Sequence, residues 1–163
     1  MEKASINWGE LGFKYQKVDK VYVSRWKDGK WDDGVLQDDD KLSISISATA
    51  LHYGQQCFEG LKAYTTENGD IQLFRPDMNA KRLQNSCKRI LMPEVPVDKF
   101  IDACLKVVEA NERFVPPYGT GATLYLRPFV IGNGDNIGAG PAPEYIFCVF
   151  GIPVGPYFKG GFK

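Results

Sequence analysis

The residues of this chain best suited to gripping a small anion are Tyr125 and Arg127 in "LYLRP", and Arg82 in "NAKRLQN". A strand's period of two puts Tyr125 and Arg127 on one face and Leu124 and Leu126 on the other. A guanidinium beside a phenol on an interior strand needs an acid, because a buried unpaired cation is costly. That acid is either an internal Asp or Glu or the carboxylate of a substrate, and the spacing leaves both open. Arg82 falls next to the apolar stripe of a helix, where its planar fork suits a phosphate or carboxylate. The competing reading is a surface arginine with a packed stem. Arg75 directly precedes that helix and is read as the end of a strand.

Other chemistry is weakly supported. The only histidine, His52, opens "HYGQQCFEGLKAY" and lies five residues before Cys57, with no third member of a catalytic set in view. The four cysteines, Cys57, Cys87, Cys104 and Cys148, form no C-x-x-C pair and sit in apolar settings. They read as reduced, packed thiols of a cytoplasmic protein. No cluster with metal-ligand spacing is present. The loop "IGNGDNIGAGP" permits close backbone approach to a ligand or another chain, but lacks the Lys-Ser/Thr of a phosphate loop.

Charge narrows the partners. Twenty basic and twenty acidic side chains cancel, leaving no basic patch for nucleic acid and no polybasic membrane anchor. With 44% hydrophobic and 25% charged residues, the 163-residue chain has the composition of one soluble domain. The start, "MEKASINWGELGFK", has no apolar core of a signal peptide, and no apolar run is long enough to span a membrane. The expected partner is a small molecule or another protein chain.

The elements that must position these residues are legible in outline. "KVYVSRWKDGKWDDGVL" alternates on both sides of Asp28-Gly29, predicting a hairpin. "KLSISISATA" predicts a strand with Leu42, Ile44 and Ile46 on one face. "LKAYTTENGDIQLFR" predicts a second hairpin turning at Glu67 to Asp70. A helix is expected from Pro76, with Leu83, Cys87, Ile90 and Leu91 at helical spacing, stopping at Pro93. A second helix carries Phe100, Ile101, Cys104, Leu105 and Val108 on one stripe and ends before Pro116-Pro117. Two long strands, Ala122 to Gly132 and Glu144 to Val154, follow. Strands and helices do not alternate, so the expected fold is α+β: a mostly antiparallel sheet with two main helices packed on one side.

In order and spacing, "LHYGQQCFEGLKAY", "LFRPDMNAKRL", "LYLRPFVIGN" and "VGPYFKGG" resemble the branched-chain amino-acid aminotransferases, pyridoxal-phosphate enzymes of fold type IV. The resemblance runs from about Leu11 to the end; near the start, "KYQKVDKVYV" departs from the family's usual segment. It implies that Arg82, not Arg75, binds the cofactor phosphate and that Phe58 and Gly60 line the substrate pocket. Tyr125 is placed near the substrate α-carboxylate and Arg127 at the distal carboxylate of glutamate. Tyr53, Ile137 and Ala139 are implied to complete the pocket of a partner subunit in a homodimer. The implied substrates are leucine, isoleucine, valine, glutamate and 2-oxoglutarate. Residues 1–154 then form the small N-terminal domain and 155–163 begin an interdomain linker. The family's Schiff-base lysine belongs to a second domain, so no catalytic residue is assigned within this chain and none of its lysines, Lys62, Lys159 and Lys163 included, is given that role. The chain alone is expected to be inactive. D-amino-acid transaminase and aminodeoxychorismate lyase share the fold and remain rivals, as does a non-catalytic binding or assembly module.

Overall fold

The computed structural model describes residues 2–156; the linker reading for 155–163 lies almost entirely outside them. Eight strands form one sheet in which every pairing is antiparallel. They are β1 (Val21–Lys27), β2 (Lys30–Trp31), β3 (Val35–Gln37), β4 (Gln56–Phe58), β5 (Leu61–Thr65), β6 (Ile71–Leu73), β7 (Thr123–Asn133) and β8 (Glu144–Val154). The spatial order is β2-β1-β8-β7-β5-β6, with β3 also on β1 and β4 also on β7. Three helices accompany them: the short α1 (Thr49–His52), α2 (Pro76–Arg89) and α3 (Val97–Ala110). This is the expected α+β architecture.

Both hairpins form where the turn chemistry places them. Asp28 and Gly29 take φ values of 52° and 84°, the two left-handed residues that a tight turn between twisted strands requires. The second turn closes with Thr66 N–H donating to the Asp70 carbonyl at 2.8 Å.

The long pair β7–β8 is the spine of the sheet. Along β7, Leu124, Leu126 and Val130 are fully buried beneath the helices, while Tyr125, Arg127 and Phe129 alternate onto the opposite, more open face. The helix side holds the main core, in which Leu83 and Cys87 of α2 and Phe100, Ala103, Cys104 and Val107 of α3 meet Tyr22, Leu124 and Phe147. The open side holds a smaller cluster of Val21, Val23, Ile131, Ile146 and Cys148.

Two expectations are corrected. "KLSISISATA" is not a strand: residues 41–45 are irregular, a turn follows, and Ala48 leads into α1. Leu42 and Ile44 do pack on the open-side cluster, but Ile46 is 90% exposed. The serines explain the difference, since their hydroxyls compete with a strand ladder for backbone groups. Ser45 N–H bonds the Asn133 side chain, and Ser45 Oγ bonds Asp135 and accepts from the Ser47 N–H. The helical stripes are also narrower than read. Leu105 is exposed, with Ala103 and Val107 taking the inward positions; Ala103 and Leu105 flank Cys104 at equal angles, so spacing alone leaves open which side faces the sheet. Ile90 and Leu91 are exposed because α2 ends at Arg89 and Leu91 turns into the left-handed region, with φ 56°.

Candidate functional site

Tyr125 and Arg127 lie side by side as alternation predicts. Arg127 Nε donates to the Tyr125 hydroxyl at 3.1 Å, and its guanidinium carbon sits 4.2 Å from the centre of the Phe58 ring. No Asp or Glu pairs with Arg127 among the described residues. The internal acid that one reading required is therefore missing, and aromatic faces support the cation instead. Arg127 borders a recess of about 650 Å³ lined by Phe58, Phe129, Ile131 and Phe150 together with Gly54, Gln56 and Cys57. An arginine with free donors at the edge of an apolar recess suits a ligand that is part hydrocarbon and part carboxylate.

Gly60 keeps Tyr125 in place. A Cβ there would fall 2.5 Å from the Tyr125 hydroxyl and 3.0 Å from its ring, so only glycine admits the phenol at this packing. Phe13 meets the same ring edge-on at 5.2 Å. In this arrangement the space over Gly60 holds Tyr125.

Arg82 has an internal partner that the sequence did not reveal. Its Nε and one terminal nitrogen grip Glu59 at 2.7 and 2.8 Å, in the fork geometry of an arginine–carboxylate pair. Glu59 is 4% exposed and also accepts from Asn79 at 2.9 Å, while 69% of the Arg82 side chain faces solvent. The pairing holds the Arg82 guanidinium above its ordinary pKa, first through the hydrogen bond and then through the charge of Glu59. Two of five N–H donors are used, leaving three for an anion outside. The acid in "FEGLKAY", twenty-three residues upstream, was a visible signal, but its pairing depends on β4 packing against α2.

Arg75 lies apart. It takes φ 45° at the start of α2 and pairs with Asp77 through two 2.9 Å bonds on the surface.

The stretch "HYGQQCF" is shaped by Gln55, which sequence reasoning passed over. Its amide nitrogen bonds the Ile90 carbonyl at 2.9 Å, its oxygen accepts from Thr49 at 2.8 Å and from the Ala142 N–H at 3.1 Å, and its backbone carbonyl accepts from Gly132 at 2.9 Å. The Gln55 side chain thus ties α1, the end of α2 and the loop before β8, and its backbone carbonyl adds β7. Beside it, the Tyr53 hydroxyl donates to the Ile137 carbonyl at 2.6 Å. Tyr53 and Ile137 are exposed, and Tyr53 and Ala139 line a shared surface depression of about 320 Å³. His52 bonds the Ile46 carbonyl at 2.7 Å, and Cys57 contacts Cys87 instead of the imidazole. No group of residues with metal-ligand character occurs among the described residues.

No family model matches the chain. The chain is 58% identical over 156 residues to a branched-chain-amino-acid aminotransferase of Haemophilus influenzae, covering 96% of this chain and 46% of the relative. The chain belongs to the branched-chain aminotransferase family. The Helicobacter pylori aminotransferase of the same name is 52% identical over 159 residues, 98% of this chain and 47% of the relative. This chain therefore spans just under half the length of these aminotransferases. The fold agrees: a branched-chain aminotransferase of Thermoproteus uzoniensis, solved with norvaline, superposes with a TM-score of 0.66 at 25% identity over 87% of this chain and 43% of that one. The Escherichia coli branched-chain amino acid aminotransferase gives a TM-score of 0.66 at 23% identity over 86% of this chain and 41% of that one.

Proposed function

We propose that residues 1–154 form the small domain of a pyridoxal-phosphate-dependent aminotransferase that moves the amino group of leucine, isoleucine or valine to 2-oxoglutarate. The observation that carries this reading is Arg127, a cation with no acid partner among the described residues, braced by Tyr125 and Phe58 and lining a largely apolar recess. Another solved branched-chain amino acid aminotransferase of the same fold is complexed with N-(5'-phosphopyridoxyl)-L-glutamate, which supports the choice of cofactor and of a dicarboxylate partner.

The residues present fit such a cofactor at its phosphate end. Arg82 is anchored on one side by Glu59 and keeps its remaining donors towards solvent. Pyridoxal phosphate, when bound, carries the amino group and draws off the electrons of the bond that breaks. The chain's own residues hold and orient. Arg127 meets the distal carboxylate of glutamate or 2-oxoglutarate, and the Tyr125 hydroxyl serves the α-carboxylate. Phe58, Phe129, Ile131 and Phe150 exclude water and receive a branched side chain. The lysine that anchors the cofactor is assigned to a second domain of the complete protein.

We further propose a homodimer in which Tyr53, Ile137 and Ala139 complete the partner's pocket. Their exposure and the Tyr53–Ile137 hydrogen bond support a preformed apolar edge of this kind. No helix among the described residues is long and apolar enough to cross a membrane, and cytoplasmic residence is part of the proposal. The test is amino transfer by the complete protein with pyridoxal phosphate and 2-oxoglutarate. Leucine, isoleucine and valine should serve as donors and D-alanine should not. Activity confined to D-alanine would move the protein to the D-amino-acid class.

A further inference from the structure

Cys57 and Cys87 stand apart from the other thiols. Their sulfurs are 3.6 Å apart, one at the middle of β4 and the other on the buried face of α2. Cys57 is half-buried and Cys87 fully buried. Cys104 and Cys148 are buried with no thiol partner among the described residues, and burial pushes both thiols up to about 12. In the close pair the hydrogen bond is shared unequally. It holds the Cys57 thiol below its ordinary range, against burial and the nearby Glu59 charge, and the same bond together with burial raises Cys87. The more exposed sulfur is thus also the more nucleophilic one.

We propose that Cys57 and Cys87 form an oxidisable dithiol site that takes hydrogen peroxide and closes to a reversible intramolecular disulfide. The Cys57 thiolate attacks one peroxide oxygen, and the O–O bond breaks. Hydroxide leaves and takes up a proton as water, giving Cys57 sulfenic acid. The Cys87 thiol, losing its proton, then attacks the Cys57 sulfur and displaces hydroxide, which leaves as a second water. Two thiols and one peroxide give one disulfide and two waters; the sulfurs lose two electrons and the peroxide gains them. The sulfurs must approach by about 1.5 Å to reach bonding distance, a shift that side-chain rotation and a small movement of α2 against β4 supply. The bridge would join the two segments that the Arg82–Glu59 pair already connects, one residue beyond β4 and five residues before Cys87 on α2. The proposal does not depend on what Arg82 binds.

The complete, reduced protein is treated with equimolar hydrogen peroxide, quenched with N-ethylmaleimide and mapped by mass spectrometry without reduction. The peptides of Cys57 and Cys87 should appear as one cross-linked species in most molecules, with the loss of two alkylatable thiols and full recovery in dithiothreitol. Cys104 and Cys148 should be alkylated only after denaturation. In Cys87→Ser, Cys57 should persist as a sulfenic acid captured by dimedone, and in Cys57→Ser the Cys87 thiol should survive peroxide unchanged. Accumulation of Cys57 sulfinic acid without a bridge would overturn the proposal, as would a bridge between molecules or two thiols untouched by peroxide. The map of the unsubstituted protein decides the matter even where Cys87→Ser fails to fold.

Discussion

Removing one side of the Arg82–Glu59 pair should damage the fold unequally, depending on which side is lost. Arg82→Met keeps the stem but leaves Glu59, 4% exposed, with only the Asn79 donor at 2.9 Å. Two charge-assisted bonds of 2.7 and 2.8 Å disappear. A fully buried carboxylate stripped of its partner costs about 3–5 kcal/mol. Here the guanidinium end faces solvent, so water can reach the vacated side, and the expected cost falls to about 2–3 kcal/mol. Glu59→Gln removes the buried charge instead and leaves Arg82 to water, with a cost of about 1 kcal/mol. The double variant has no stranded charge and should be less damaged than the sum of the singles, with a coupling of about 1–2 kcal/mol. Urea unfolding of the four proteins, followed by tryptophan fluorescence under reducing conditions, measures all three differences. Equal losses in the two single variants, or strict additivity in the double, would refute the claim that a buried acid and an exposed cation are coupled here.

Gly60→Ala should destabilise the protein by about 1–3 kcal/mol through overpacking against Tyr125, and Gly60→Ala/Tyr125→Phe should recover part of that loss. An unchanged melting temperature in Gly60→Ala would show that the phenol moves aside freely. Asp19 accepts two 2.6 Å bonds from Arg113, and chiefly this hydrogen bonding holds its carboxyl below the ordinary range. A lowered folded value gives stability that is complete above the unfolded value near pH 3.9 and is lost as pH falls through the folded one. Asp19→Asn should therefore cost under about 1 kcal/mol at pH 7 for this exposed pair, with the deficit shrinking at about pH 3. A deficit that is constant or grows on acidification, measured by urea midpoints at the two pH values, would contradict the assignment.

Local rules reached much of the fold. Asp28-Gly29 set one turn, Pro76 marked the start of α2, and alternation in "LYLRP" placed Tyr125 and Arg127 on one face. Where the reading failed, a non-local partner decided. "KLSISIS" alternates like a strand, yet Asn133, eighty-eight residues from Ser45, takes the backbone N–H that a ladder would have used. At the site, the shared face of Tyr125 and Arg127 was legible because strand alternation is local, whereas Phe58 entered only through the family resemblance. The Glu59 partner of Arg82 and the four-way role of Gln55 were not legible, since each depends on which helix end or loop the sheet brings near. The Cys57–Cys87 contact was hidden for the same reason: thirty residues separate two thiols that only the packing of α2 on β4 joins.

The central claim is the proposal that Arg127, which pairs with no acid among the described residues, receives a substrate carboxylate. Steady-state kinetics of Arg127→Ala in the complete protein tests this most directly. A charge-assisted hydrogen bond lost only with glutamate corresponds to about 1.5–3 kcal/mol, so kcat/KM for glutamate should fall roughly tenfold to a hundredfold further than kcat/KM for leucine. Equal losses for the two donors would contradict the account and return Arg127 to a purely structural role beside Tyr125 and Phe58.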